Sequence, residues 1–493
     1  MSGNHAAETA KIHAQLNHPV IDSDGHWIEF EPAAVEYLRQ VGGDKIVERY
    51  GKVANQFGNK KWAQTPAEER RERRMLQPGW WGVPTKNTRD RATAMLPKLL
   101  YERMGEVGLD FAVIYPTSGA LFAPFLRDEE VRRAACRAFN MYTADQFRGL
   151  GDRLTPAAVV PMYSPQEAVE ELEFTVKTLG SKAVMLGSLP RRTITAVAKA
   201  NPEASRYAVW HDTLGLDSAY NYDPVWTKCL ELGISPTFHS ASSGIGLRTS
   251  ISNFVYNHIG HFGQAGEAVC KALFIGGVTR RFPQLRFGFL EGGVGWACSL
   301  YSDLIGHWKK RNPAALEETN PANLNRELLV DLVQRYGSQA FINKIDQLAP
   351  GVGLLMERPE QLDDFGACGI EKASDIRDLF VPNFYFGCEA DDPVTSWAFQ
   401  DKVNPYGAKL NPIFGSDIGH FDVPDMTEVL VEAYEGVEDG VITEDNFRDF
   451  VFGNPVRFWT AMNPNFFKGT AVESQVQKVL AEDSCANGAC SVA

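Results

Sequence analysis

The sequence predicts one α/β domain, a (β/α)8 TIM barrel with large insertions in its βα loops. Three observations carry that prediction. Short apolar runs rich in β-branched and aromatic residues recur along the chain, each followed by polar or Gly-rich punctuation. Eight such runs alternate with helical stretches, which builds a parallel sheet rather than a sandwich. Finally, His, Asp and Glu recur where these runs end, and this architecture assembles its active sites at the C-terminal ends of its strands.

The first run is Pro19-Val20-Ile21-Asp22-Ser23-Asp24-Gly25-His26. The second, residues 108–117, lies between predicted helices over 98–105 and 128–149. Residues 154–162 form the third and lead into an amphipathic helix over 164–179, with apolar residues at Ala168, Val169, Leu172, Val176 and Leu179. The fourth is 183–187 and the fifth 234–239, followed by a helix over 266–282. Residues 285–291, 384–389 and 412–417 complete the set. One barrel takes ~250 residues, so most of the rest is expected as insertions at about 27–98, 189–230 and 308–380. The barrel is drawn over 19–465, preceded by an N-terminal arm (1–18) and followed by a C-terminal tail (466–493).

Composition narrows the function. The 493 residues are 44% apolar and 23% charged, with a formal net charge of −13. This is a globular composition, and the charge argues against nucleic-acid binding. No apolar run approaches the roughly 18 residues of a membrane span, and the start of the chain does not read as an export signal, so a cytoplasmic protein is expected. Eight cysteines without a C-x-x-C pair suggest reduced thiols. Cys485 and Cys490 lie in a Gly/Ala/Ser-rich end that reads as a frayed tail. The P-loop, the dinucleotide-binding glycine pattern, the G-x-S-x-G elbow and H-E-x-x-H are all absent from the sequence.

The strand ends therefore carry the chemistry. Strand one ends in Asp24 and His26, strand five in His239, strand six in Glu291, strand seven in Glu389 and strand eight in Asp417. Residues two apart on a strand share a face, so Asp24 and His26 can point together into the barrel mouth. Imidazoles and carboxylates converging there suit a divalent ion with open positions.

On these residues the chain resembles the amidohydrolase superfamily, in particular the amidohydrolase-2 branch that contains aminocarboxymuconate-semialdehyde decarboxylase. The motifs are Asp22-Ser23-Asp24-Gly25-His26, His239, the run 282–296 around Glu291, and Gly415-Ser416-Asp417-Ile418-Gly419-His420-Phe421-Asp422. The resemblance implies that Asp24, His26, His239 and Asp417 hold a metal, with zinc the first expectation and iron or manganese as alternatives. Asp24 replaces the first His of the usual His-x-His pair. Where decarboxylase relatives often carry a catalytic His after strand six, this sequence has Glu291, and His258 or His261 could supply the imidazole instead. Strand four ends in Leu186-Gly187-Ser188 with Lys182 at its start, so a Lys-bridged metal pair is not expected.

The first functional expectation is a hydrolase in which a metal-bound water attacks a carbonyl, with Asp417 as base and Glu291 and His261 as further catalytic candidates. A non-oxidative decarboxylase is one alternative. A dinuclear iron or iron/manganese oxygenase is another, drawing on Asp22, Glu291, His258, His261, Glu389, His420 and Asp422 for a second ion or for support of the first; a structural subunit of a heteromer is the non-enzymatic reading. Each residue also has a plainer reading: Asp24 as a capping residue, His26 as a hydrogen-bonded core histidine, Glu291 as a cap of the helix that follows. Trp80 and Trp81, in the first insertion, are expected at an aromatic substrate pocket for a medium-sized carbonyl- or carboxylate-bearing molecule. The run Arg70-Arg71-Glu72-Arg73-Arg74 reads as a solvated helix face. A homo-oligomer is expected, with a heteromer as the alternative.

Overall fold

A computed structural model describes residues 2–54, 59–79, 85–348 and 362–486. Eight strands are hydrogen-bonded in chain order: β1 (Ile21–Trp27), β2 (Phe111–Pro116), β3 (Leu154–Val160), β4 (Ala183–Leu186), β5 (Pro236–Phe238), β6 (Phe287–Phe289), β7 (Phe384–Glu389) and β8 (Asn411–Gly415). Every neighbouring pair along this sheet is parallel. The last strand returns to the first, since Asp417 N–H donates to the Asp24 carbonyl at 3.0 Å and His26 N–H to the Ile418 carbonyl at 3.1 Å. The expected barrel is the observed one. Its strands are buried almost throughout, which is why they read as continuous apolar runs rather than alternating ones.

The principal helices around it are α1 (Ser2–Gln15), α2 (Pro97–Val107), α3 (Thr117–Leu121), α4 (Glu129–Gln146), α5 (Pro165–Lys177), α6 (Asp223–Leu232), α7 (His261–Ile275), α8 (Gly295–Arg311), α9 (Ala373–Phe380), α10 (Asn454–Met462) and α11 (Glu473–Ala486). Local sequence sets their ends. Asp128 accepts the Val131 N–H at the start of α4, and Ser164 with Glu167 forms a reciprocal capping box on α5. Gly108 ends α2 at φ 83°, and a Cβ there would lie 2.7 Å from Thr9 Cγ2.

Three features differ from the sequence reading. The helix predicted over 266–282 starts earlier and is broken into α7 and a short turn, Val278–Arg281. Gly277 stands at φ 71° at the break, and a Cβ on Gly276 would lie 1.8 Å from the Gly215 carbonyl oxygen, so the helix end is pressed against another backbone. The chain ends are also structured: α1 buries Thr9 and Ile12, and α11 buries Val476 and Val479 beside Val472. Few apolar positions among many polar ones made these stripes faint. The third feature is a small antiparallel pair, Arg191–Thr193 with Val209–His211, inside the 189–230 insertion.

Six cysteines (136, 229, 270, 298, 368 and 388) are free and buried. Cys485, expected in a frayed tail, lies on α11 and is disulfide-bonded; Cys490 falls outside the described residues. Among the described residues no helix is long and apolar enough to cross a membrane.

Candidate metal centre

The site is built where β1 meets β8. The β1–β2 register shifts between Asp22 and Gly25, and a Cβ on Gly25 would lie 2.6 Å from Asp22 Oδ2 and 2.9 Å from Ile114 Cδ1. Only a glycine lets the strand fold over Asp22 at that distance. Asp22 Oδ1 accepts the N–H groups of Asp24 and Ser416, both at 3.0 Å, and its Oδ2 accepts the Ser416 hydroxyl at 2.6 Å. Both oxygens are engaged with Asp24 and Ser416, the arrangement of a residue that braces the site, which is one of the two parts expected of Asp22.

Asp24 and His26 project beyond this clamp and meet His239 from the end of β5, Glu291 from beyond β6 and Asp417 from beyond β8. His26 Nε2 lies 3.2 Å from His239 Nε2, 3.4 Å from Asp417 Oδ1, 3.6 Å from Asp24 Oδ1 and 3.8 Å from Glu291 Oε2. His239 Nε2 lies 2.8 Å from Glu291 Oε2 and 3.8 Å from Asp24 Oδ1. None of the five residues is more than 8% exposed. Asp24 Oδ1, Glu291 Oε2 and both oxygens of Asp417 nevertheless have no hydrogen-bond partner. Glu291 and Asp417 also occupy left-handed backbone, at φ 52° and 49°. Strain of this kind costs about 1–3 kcal/mol per residue and persists where surrounding structure imposes it.

Electrostatics describe the same imbalance. Burial first, and then the neighbouring carboxyls, push Asp24, Glu291 and Asp417 well above the ordinary carboxylate range. Burial likewise holds the His26 imidazole well below its usual value. Crowding acceptor atoms without a donor or cation is costly in a low-dielectric interior. A divalent cation would satisfy it. Ligand atoms fall into two overlapping groups, Asp24 with His26 and His239, and His26 with Glu291, Asp417 and His420, each within 4.8 Å. The donor chemistry, the burial and the orphaned oxygens therefore fit a metal.

His420 touches the cluster through Nδ1, 2.7 Å from Asp417 Oδ1, and stacks on His26 with ring centroids 4.1 Å apart. Burial pushes its imidazole down to about 4. His258 ends a short helix, Phe254–His258, and His261 opens α7. His261 packs on Phe262, whose ring in turn stands against His239. Phe262 thus lies beside both rings, and neither His258 nor His261 belongs to the ligand groups. Lys182 sits at the start of β4 and donates to the Phe466 carbonyl at 2.9 Å, away from the strand end where a bridging lysine would be needed.

A cavity of about 340 Å³ adjoins the cluster, lined by His258, His261, Phe262, Glu291, Glu389, Asp391, Asp392 and Asp422 together with four glycines. Burial, then Glu291 and Asp422, push the Glu389 carboxyl up to about 9. The described part of the cavity wall is acidic. Trp80 and Trp81, expected at an aromatic pocket, lie outside the described residues. The arginine run is as expected: residues 70–74 are mostly exposed, and Arg73 pairs with Glu69. Sequence reasoning missed two residues beside the cluster, Thr117 and Glu29. Glu29 accepts the N–H groups of Ser118 and Gly119 at 2.9 and 2.6 Å, and the Thr117 hydroxyl reaches His420. A lone Thr and a Glu just past a strand carry no pattern by which they could have been found.

The amidohydrolase family model matches residues 21–321, more than half of the chain. The chain belongs to the amidohydrolase family. As in that family, the barrel carries a mouth suited to a metal-dependent enzyme. No curated protein matches the chain. Among solved structures, an amidohydrolase of Mycobacterium avium subsp. paratuberculosis K-10 is 17% identical over 90% of this chain and 98% of its own, with a TM-score of 0.52, and shares the fold. Two others align more loosely. A 2,6-dihydroxybenzoate decarboxylase from Rhizobium is 14% identical over 90% of this amidohydrolase and 99% of its own chain, with a TM-score of 0.45. A dihydroxybenzoic acid decarboxylase from Polaromonas sp. JS666, with bound manganese and 2-nitroresorcinol, is 16% identical over 90% and 97%, with the same TM-score.

Proposed function

We propose that this amidohydrolase-family enzyme removes a carboxyl group, without oxidation, from a small carbonyl- or hydroxyl-bearing acid bound in the 340 Å³ cavity. Asp24, His26, His239 and Asp417 would hold the divalent ion, with Glu291 beside them. When bound, the ion supplies positive charge for the substrate carboxylate and for the electrons left as carbon dioxide departs. Carboxylate-rich donors favour a hard ion such as manganese or iron over the zinc first expected.

The observation that carries the reading is Glu389. Its carboxyl faces the cavity, stands outside the ligand groups and is pushed up to about 9, so it retains its proton at neutral pH. The carbon–carbon bond to the carboxylate breaks, and Glu389 delivers its proton to the carbon left behind. Hydrolysis makes a different demand, that Asp417 accept a proton from water. Asp417 Oδ1 already lies 2.7 Å from His420 Nδ1 and 3.4 Å from His26 Nε2.

A second reading rests on the two ligand groups that share His26. They offer donors for two ions, as a dinuclear oxygenase requires. Metal content by mass spectrometry, followed by assays for carbon dioxide release from hydroxy- and keto-acids under nitrogen, separates the readings. One ion per chain, anaerobic carbon dioxide release and its loss in Glu389→Gln are expected. Cleavage of amides or esters without carbon dioxide release would leave hydrolysis standing instead; two ions with an obligate need for dioxygen would favour the oxygenase.

A further inference from the structure

We propose that a second cavity, between α7 and α8, is a binding site for an organic anion with an apolar body, whose charged group is held by Arg248 and Gln264. The proposal does not rest on the reaction assigned above, and its test requires neither metal nor turnover.

The cavity measures about 1220 Å³, more than the roughly 300–1,000 Å³ of ordinary small-molecule sites. It follows one face of each helix. On α7 that face is Gln264, Glu267, Lys271 and Ile275, three or four residues apart; on α8 it is apolar, with Trp296, Leu300 and Leu304 at the same spacing. Leu300, Leu304 and the Phe365 that joins them are no more than 6% exposed. Trp296 is held as a wall because α7 carries glycines opposite it. A Cβ on Gly263 or Gly266 would come within 3.2 or 3.1 Å of its ring.

Where the two helices begin, donors outnumber acceptors. Arg248 Nε donates to the Ile259 carbonyl at 3.2 Å, Nη2 to the Gly260 carbonyl at 3.1 Å and Nη1 to Gln264 Oε1 at 2.6 Å. All three acceptors are uncharged, so the guanidinium keeps its full charge, and two of its five N–H groups remain to donate. An arginine only donates, so the same contact fixes the neighbouring Gln264 atom as the oxygen. The amide nitrogen of Gln264 then offers further N–H groups, and it has no acceptor among the described residues. Gly260 shares this corner just before α7, a helix of 15 residues whose positive end favours a negative group.

The carboxylates of the lining are engaged elsewhere. Glu267 pairs with Lys271 at 2.6 Å and Asp364 with Arg311 at 3.0 Å, while Asp392 accepts the Val394 N–H at 2.9 Å. Asp303 is exposed to solvent about two turns beyond Trp296 on α8. Of the Arg and Lys side chains in the lining, Arg248 alone has no carboxylate partner among the described residues. A carboxylate, sulfonate or phosphate can accept several of these N–H groups at once. Its rings or chain then cover the apolar wall.

The test titrates the full-length protein with anilinonaphthalene sulfonate, a fluorescent organic anion, and with N-phenylnaphthylamine, the same apolar body without the sulfonate. Both should saturate, the anion at lower concentration. Gln264→Glu keeps the acceptor that Arg248 uses but replaces the free donors by negative charge. It should weaken the anion by about 10–100-fold, the range for losing hydrogen bonds to a charged group, and leave the neutral probe unchanged. Arg248→Met should act in the same direction, and Gln264→Glu decides the matter if that variant does not fold. Ser299→Trp, at an exposed lining position on α8, should weaken both probes by filling the apolar part. Absence of saturable anion binding overturns the proposal. So does equal anion binding by wild type and folded Gln264→Glu, or a probe that Ser299→Trp does not displace.

Discussion

Two sets of buried charges in this enzyme behave in opposite ways. In the helical shell, Arg132 and Glu167 are both almost fully buried, and the guanidinium donates to Glu167 Oε2 at 2.8 and 3.1 Å and to the Leu126 carbonyl at 2.7 Å. Arg103 likewise pairs with Asp90 at 2.7 Å, and Asp90 also accepts the Met426 N–H at 2.8 Å. At the barrel mouth, Asp24, Glu291 and Asp417 are equally buried, yet they face histidine rings with no Arg or Lys among them, and they keep oxygens without hydrogen-bond partners. The shell charges are complete as they stand; the mouth charges are incomplete without a cation. Burial alone therefore does not mark a functional residue, whereas burial without a partner does.

Each side of that contrast can be broken separately. The largest effect belongs to Asp417→Asn, which removes a proposed charged ligand: activity should fall by more than the roughly 10–100-fold that loss of a ligand's supporting partner costs, and metal retention on dialysis should drop with it. Full activity in that variant would remove Asp417 from the site. Next comes Arg132→Met, which strands Glu167 in the shell and should cost about 3–5 kcal/mol in denaturant unfolding, while leaving the metal content of the folded fraction unchanged.

The third prediction concerns pH. Glu389 titrates near 4.5 when unfolded and at about 9 when folded. Between those values the folded chain binds a proton that the unfolded chain has released, so the stability of the metal-free protein falls as pH rises through this window. Asp22, raised to about 6 by burial, acts with the same sign over a narrower range. Thermal melts after chelation should decline from pH 5 to pH 9 and flatten when the metal is restored; parallel curves would show that the cation does not offset the carboxyl crowding. The smallest effect is expected at Lys52 and Glu48, an exposed pair 2.7 Å apart one helical turn from each other. Lys52→Met should leave the melting temperature within error, because an exposed pair gains little over hydration.

Much of this was legible in the sequence, and what was missed has physical causes. Most of the strands follow from their apolar runs, because burial on both faces leaves few polar interruptions; β1 is the exception, its Val20-Ile21 start passing into the buried polar run Asp22-Ser23-Asp24-Gly25-His26. Asp24, His26, His239, Glu291 and Asp417 could be found because barrel geometry says where a strand-end side chain goes. The break at Gly276 was not legible, since it depends on the Gly215 carbonyl, which is distant in sequence. The acidic wall was only half legible for a related reason: Glu389 at the end of β7 and Asp422 beyond β8 stood out, Asp391 and Asp392 did not, and only the folded barrel places the four around one cavity. Asp22 could be singled out but its two expected parts could not be told apart, because the bulge at Gly25 and the Ser416 hydroxyl that engage it belong to tertiary structure.

The seam between β1 and β8 also bears on how the enzyme comes to exist. Asp22 and the Ser416 that it clamps are 394 residues apart, and Asp24, His26 and Asp417 lie on the same seam. Loop closure over such a span costs entropy before any contact repays it. The two ends of the barrel must therefore meet before the proposed ligand set exists at all, and a chain still emerging during synthesis would not hold an ion at this site. Metal capture would then mark completed folding, protecting the finished barrel while leaving partly built chains unprotected.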